Sequence, residues 1–263
     1  KKLVVSVFET LTSIHKVPIY KWNVKSVLST ANLFIAYSKR SVDYLRYLSV
    51  DEDKIRMIYL GIDLEKFNPQ LAKRSDEKLR VLFVGAYARQ KGLSILLPAF
   101  ARLCKKVPDC ELWLVISQGG EDEGLVREYS KKFPIKIFHN LKYDELPKIY
   151  ASCDIFCLPS LDWKKWGMKL WEEQFGFVLI EAMASGLPIV GSDCGSIPEI
   201  IGPSNPTVIQ GSQDKLFLAL LKMALDENFR KRLSKLNRSR SEHFFDIIKQ
   251  RQKLEKTLLE SFE

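Results

Sequence analysis

Glu173-Gln-Phe-Gly-Phe-Val-Leu-Ile-Glu181, running on through Ala182-Met-Ala-Ser-Gly-Leu-Pro188, is the stretch around which the rest of the chain is organised. Polar Glu172 and Glu173, then Gly176, precede an apolar run that only Glu181 interrupts, and Gly186 and Pro188 end it. Glycine followed by proline after the last periodic residue is a helix stop signal, so residues 177–185 read as a short, mostly buried helix. A carboxylate inside such a helix is costly unless something hydrogen-bonds it. The helix start offers unpaired N–H groups and the positive end of the dipole, a natural seat for phosphate. The spacing thus allows a phosphate at the helix start, with Glu173 and Glu181 accepting hydrogen bonds from sugar or ribose hydroxyls. It equally allows a core helix whose Glu181 caps a neighbouring backbone.

With 263 residues and 46% hydrophobic content, the chain can hold one large or two ordinary domains around a substantial core, which excludes global disorder. A net charge of +9 suits nucleotide phosphates, anionic lipid or nucleic acid without choosing among them. The five cysteines are odd in number, and Cys153 and Cys157 have neither zinc-knuckle spacing nor a histidine nearby. They are expected to be buried free thiols in a reducing compartment. No apolar run reaches the ~18 residues of a membrane span. The opening Lys1-Lys2-Leu-Val-Val-Ser-Val-Phe8 is too short for a signal peptide and lacks a cleavage site, and without an initial Met the chain reads as entered mid-protein.

Strand-like runs at 3–8, 31–37 and 55–60 alternate with helical patterns at 18–30 and after Ser38, which sits where an N-cap belongs. Residues 64–78 lose periodicity around Asn68-Pro69 and a charged cluster, and read as a linker. A second alternating run follows. Strands are expected at 81–85, 112–116, 135–138 and 154–158. Helices are expected at 92–105, after a Gly119-Gly120 turn through Lys132, and at 143–152. Residues 161–172, with Trp163, Trp166 and Trp171, read as a loop. Beyond the opening helix come a strand at 188–191, a loop at 195–199, a short strand at Val208-Ile209, and helices at 213–226, 228–236 and 241–262. Such alternation predicts a parallel α/β fold. A complete Rossmann-like domain (79–240) stands behind the last part of another (1–63), with the linker at 64–78 and a terminal helix at 241–263. The first three strands bury too little surface to stand alone.

The strand at 81–85 leads into Gly85-Ala-Tyr-Ala-Arg-Gln-Lys91-Gly92. A glycine turn at a strand's C-terminal end is where ligands sit in open α/β sheets, so Lys91, assisted by Arg89, could meet a phosphate. The pattern is neither G-x-G-x-x-G nor a Walker loop, which disfavours nicotinamide and P-loop chemistry.

Taken together, Glu173-x7-Glu181 with Phe175-Gly176 inside, then Glu-Ala-Met-Ala-Ser-Gly-Leu-Pro-Ile-Val, resemble the signature of the retaining glycosyltransferases of family GT4. Tyr59 to Phe67, Val81 to Gly92, Asp144 to Ser160 and Gly195 to Glu199 extend the resemblance over nearly the whole chain. It implies a GT-B fold of two Rossmann-like domains and a hexosyltransferase-type transfer, with retention, from a UDP- or GDP-sugar to an acceptor hydroxyl. It implies no cofactor and no obligatory metal. Lys91 then matches the lysine on the donor diphosphate, Glu173 the residue holding the transferred sugar, and Glu181 the one on the ribose. Gly176, Phe177 and Val178 match the helix start that meets phosphate. His139-Asn140-Leu141 resembles the turn that reads the base, and Gly85 and Arg89 complete the donor side. Two positions depart from the pattern: Ala86 stands where arginine is usual, and Glu9, on the acceptor side, where histidine is usual; His15 is a poor replacement.

The resemblance also implies roughly a hundred further residues before Lys1, and a terminal helix crossing back to the first domain. The alternative is a nucleotide-sugar-binding module without transfer activity. The basic stretch Arg230 to Arg240 reads as a solvated helix face, with no aromatic interleaving to suggest nucleic acid. Lys21, Lys25 and the tryptophans favour peripheral contact with a membrane surface, toward a glycan or lipid-linked acceptor on the cytoplasmic side. The Trp-rich loop, with Trp166, is expected to flank the sugar end of the donor site.

Overall fold

A computed structural model describes residues 2–10, 24, 26–71 and 76–262. His15, Lys21, Lys25 and most of the helix expected at 18–30 lie outside the described residues, as do linker residues 72–75.

Three short strands, β1 (Val4–Val7), β2 (Leu33–Ala36) and β3 (Ile55–Met57), form a parallel sheet in that order. Ser38 is the N-cap of α1 (Lys39–Tyr47), and its side chain accepts from the Ser41 N–H. Val42, Tyr44 and Leu45 of α1 cover one face of this sheet, packing with Val7, Phe34 and Ala36. The other face, Leu33, Ile35 and Ile58, receives Leu254 and Leu258 of the terminal helix α9 (Ile247–Phe262). That helix therefore crosses back to the first sheet. Gly61 lets the chain pass it: a Cβ there would lie 2.5 Å from the Ile247 Cα.

The second unit contains β4 (Leu79–Tyr87), β5 (Cys110–Gly120), β6 (Ile135–His139), β7 (Ile155–Leu158), β10 (Ile189–Ser192) and β11 (Thr207–Val208). They make one parallel sheet ordered β11-β10-β7-β4-β5-β6. Central strands of such a sheet are covered on both faces and read as continuous apolar runs, as Val81-Leu-Phe of β4 and all of β7 do. Helices α2 (Leu93–Cys104), α3 (Glu123–Ser130), α4 (Leu146–Ala151), α5 (Phe177–Ala184), α6 (Ile197–Ile201), α7 (Gln213–Leu225) and α8 (Glu227–Phe244) surround it. The chain starts at β4, builds outward to β6, then returns to build the other side from β7. The crevice between the C-terminal ends of β4 and β7 is the topological switch point where ligands bind in such sheets.

Three expectations are corrected. Residues 161–172 are not a loop: β8 (Trp163–Lys165) and β9 (Met168–Trp171) pair as an antiparallel hairpin. Its outward strand is exposed along its whole length, so no inward-outward alternation marked it. Gly119-Gly120 is no turn but the end of β5, with Gly120 opposite Tyr87. The helices expected at 228–236 and from 241 onward join into α8, and the break falls at Phe245-Asp246. The polar run 237–240 stays helical because Asn237 is buried against Asn205 and the Leu187 carbonyl, while Arg238 and Arg240 reach backbone carbonyls of other elements. All five cysteines are free; four are buried and Cys104 is half-buried, its thiol 3.5 Å from that of Cys110.

Candidate functional site

Beyond β4, residues 89–91 make one tight turn that Gly92 ends with φ 74, a left-handed conformation that glycine adopts without strain. A Cβ on Gly92 would fall 2.0 Å from the Pro159 carbonyl oxygen, so the turn can lie directly on the end of β7. This contact aims Lys91 across the switch point. Its Nζ donates to Glu173 Oε2 at 2.8 Å, and the ammonium lies 4.9 Å from the centre of the Trp171 ring. Ser160, just past β7, donates to the same carboxylate oxygen at 2.9 Å, and Ser192 in turn holds the Ser160 carbonyl at 2.6 Å.

The Glu173 backbone is fixed as tightly as its side chain. Gly195 packs so closely that a Cβ would sit 2.0 Å from the Glu173 carbonyl oxygen, which also accepts from the Ser196 N–H at 2.8 Å. Glu173 is 7% exposed. An anion and a cation, 82 residues apart in sequence, thus meet at the mouth of the crevice.

Gly176 precedes α5 with φ 77, and no side chain caps the helix. The first amides of α5, those of Phe177 and Val178, carry the positive end of its dipole. Phe177 is exposed and Val178 packs on the core. Four residues into the helix, Glu181 is buried and accepts from the Tyr150 hydroxyl at 2.6 Å. Burial pushes its carboxyl up to about 7, against the pull of hydrogen bonds from Tyr150 and Tyr143. Burial and the nearby Glu181 raise the Tyr143 phenol to about 12 and the Tyr150 phenol well above its usual value. Tyr143 is half-exposed and lies under the Lys66 ammonium, 4.3 Å from its ring centre; Lys66 also pairs with Asp144. Glu181 is thus a hydrogen-bonded core carboxylate whose partners are tyrosine side chains and not the neighbouring backbone that a capping role requires.

Gly85, Ile116 and His139 are in register across β4, β5 and β6, so Asn140 and Leu141 leave the same edge of the sheet. Asn140 is exposed and left-handed, φ 53. Arg89 is exposed and lines a separate cavity of about 420 Å³ with Ala86, Tyr87, Gly120 and Trp163. Glu9 lies at the end of β1, accepts from the Thr10 N–H at 2.8 Å, and lines an apolar cavity that also reaches Gln174, the neighbour of Glu173. Of the tryptophans, Trp171 and not Trp166 stands beside Lys91.

One group went unread in the sequence. Glu172, 1% exposed, takes a bidentate pair from Arg40 of α1 at 3.0 and 2.7 Å, and another from Lys169 of β9 at 2.8 Å. It ties the first unit to the residue next to Glu173. Glu199 of α6 makes a second tie, accepting from the Lys39 N–H at the start of α1 and from the Tyr59 hydroxyl at 2.9 Å each. The Glu172-Glu173 doublet was the available signal, since adjacent carboxylates beside a buried helix each call for a partner of their own.

Among the described residues, no cluster of three or more His, Cys, Asp or Glu is arranged to hold a metal, and no helix is long and apolar enough to cross a membrane.

Residues 65–240 match the family model described as glycosyl transferases group 1. The chain is 32% identical over 173 residues to an MMP alpha-(1->4)-mannosyltransferase of Mycolicibacterium hassiacum, covering 65% of this chain and 39% of that protein. It is 31% identical over 177 residues to a phosphatidyl-myo-inositol mannosyltransferase of Mycolicibacterium smegmatis, covering 65% and 43%. The chain spans less than half the length of these relatives. Among solved structures, HepE of Anabaena in complex with UDP and glucose superposes with a TM-score of 0.81 at 19% identity, covering 99% of this chain and 72% of that one. Sucrose-phosphate synthase of Thermosynechococcus elongatus does so with 0.79 at 24% identity, covering 98% and 68%. The fold is that of the GT-B glycosyltransferases.

Proposed function

The chain belongs to the glycosyl transferases group 1 family, and from that premise we propose that it holds a UDP- or GDP-sugar at the β4/β7 switch point and supports hexosyl transfer to an acceptor hydroxyl with retention of configuration. The observation that carries this reading is the meeting of Lys91 and Glu173, at 2.8 Å, near the uncapped start of α5. The two charges neutralise each other in this pair. A diphosphate seated on the α5 amides would draw the Lys91 ammonium toward it, freeing Glu173 to accept a hydroxyl of the transferred sugar.

Negative charge builds on the leaving diphosphate as the glycosidic bond breaks, so cations and amides already in place stabilise the transition state. In this reading Lys91 and the helix start take the part that a metal plays elsewhere, and no metal or cofactor is required. Glu181 would accept ribose hydroxyls once Tyr143 yields, and the backbone at Asn140 and Leu141 would read the base. HepE was solved with UDP and with UDP-glucose, which supports the choice of donor class. We place the reaction at the cytoplasmic face of a membrane, with a glycan or lipid-linked acceptor on the side of Glu9.

Incubation with a panel of UDP- and GDP-sugars, followed by nucleotide release and by proton NMR of the freed sugar, tests the proposal. Slow transfer to water from an α-linked donor should yield the α anomer first. A β anomer would overturn retention, and tight binding without any turnover would leave a donor-binding module.

A further inference from the structure

The hairpin β8–β9 rises from the residues beside Glu173; Trp171 stands by Lys91 and Trp163 lines the cavity that Arg89 shares, while the tip points to neither. Its pairing brings Lys165 opposite Met168, which leaves Trp166-Gly167 as a two-residue turn with φ 50 and 71. Positive φ at both central positions is the type I′ geometry, which favours Asn-Gly or Gly-Gly. Tryptophan there is a conformational outlier, and such strain persists where the surroundings or the function demand it.

The ring gains nothing from the core. Trp166 is 80% exposed, the most exposed large apolar side chain among the described residues, and its neighbour is the Lys165 ammonium, 4.3 Å from its centre. Trp163, Lys164 and Lys165 are exposed too. The base of the hairpin, by contrast, is tied to the fold: Lys169 pairs with Asp162 at 2.6 Å and with Glu172 at 2.8 Å.

An arm tied down at its base that presents an indole at its tip and two lysines just behind it has the chemistry of an interfacial anchor. Indole partitions to the headgroup depth of a bilayer, and flanking lysines reach lipid phosphates while their stems lie along the apolar layer. We propose that the Trp163–Trp171 hairpin docks the protein on an anionic lipid surface, with Trp166 inserted at headgroup level and Lys164 and Lys165 paired to lipid phosphates. The positive balance of the chain, +9, complements such a surface. The six steps from Gly167 to Glu173, at about 3.3 Å each when extended, span roughly 20 Å at most. The tip on the membrane therefore keeps the sugar end of the crevice within reach of an acceptor carried on lipid. This deepens the acceptor part of the proposed function and rests on it for its purpose, but not for its test.

The test is cosedimentation of the 263-residue chain with vesicles of phosphatidylcholine alone and of equal parts phosphatidylcholine and phosphatidylglycerol. The chain should pellet with the mixed vesicles, less so as salt is raised. The double variant Lys164→Gln/Lys165→Gln should lower partitioning about 30-fold, which is about 2 kcal/mol at 1.4 kcal/mol per tenfold, from roughly 1 kcal/mol per lysine. Trp166→Ala should lower it roughly tenfold, with unchanged thermal unfolding in both cases. Absence of binding to mixed vesicles overturns the proposal, and so does binding that neither variant weakens. A soluble oligosaccharide that binds the wild type and not Trp166→Ala, while vesicles are ignored, overturns it in favour of a glycan platform. Vesicle binding needs no nucleotide, so loss of the donor reading and loss of this one are separate results.

Discussion

Replacing Glu181 by Gln should flatten the pH dependence of folding in a defined window. The carboxyl titrates near 7 in the folded chain because it is buried, against 4.5 for its ordinary value. Between those two values the folded state binds more protons than the unfolded one, so stability is greatest below pH 4.5 and falls as pH rises toward 7. At 1.36 kcal/mol per unit, the 2.5-unit gap corresponds to about 3 kcal/mol. Urea unfolding of wild type and Glu181→Gln at half-unit steps should show the variant gaining on the wild type by that amount between pH 4.5 and 7, the two curves then running parallel above it. The ionised carboxylate is also the stronger acceptor for hydroxyls, so donor affinity should rise with pH through the same window in the wild type and stay level in the variant. Parallel stability curves across the whole range would show that the carboxyl is not perturbed by its site, and would refute the reasoning.

Gly195→Ala should destabilise the fold by about 3 kcal/mol, read as a lower urea midpoint, because the new Cβ meets the Glu173 carbonyl at 2.0 Å on a left-handed backbone of φ 54. Donor affinity should fall with it, since Glu173 must move. Arg238→Met should cost about 3 kcal/mol in the same assay: the guanidinium donates to the Leu64, Phe67 and Ala184 carbonyls, and a charged hydrogen bond contributes roughly 1.5–3 kcal/mol. Its effect should be on stability alone, with proteolysis of residues 64–71 accelerated.

Much of the fold was legible because the strands of the second unit are buried on both faces. Val81-Leu-Phe-Val and Ile155-Phe-Cys-Leu are continuous apolar runs, the pattern of parallel strands covered on both faces. The switch point followed from the glycine turn at Gly85 to Gly92, and the Glu173-x7-Glu181 spacing around a glycine-started helix matched what the structure builds. What was not legible depends on partners distant in sequence. Arg40 and Glu172 are 132 residues apart, and the Glu172-Glu173 doublet, though it calls for a partner, does not say which residue supplies it. The same holds for Tyr143 and Tyr150 closing over Glu181. The hairpin at 163–171 escaped because it is exposed and has no buried face to impose a period of two. The helix through 237–240 reads as a break in the sequence because its polar side chains find partners outside their own helix.

The central claim is that a nucleotide-sugar diphosphate sits between Lys91 and the start of α5. Calorimetric titration of the chain with UDP, GDP and their hexose conjugates, repeated on Lys91→Ala, tests it most directly. One nucleotide series should bind one-to-one, and the variant should bind it ten- to a hundredfold more weakly, the loss of one charge-assisted phosphate contact of about 1.5–3 kcal/mol. Binding that Lys91→Ala leaves untouched, or no binding by any member of the panel, would contradict the account.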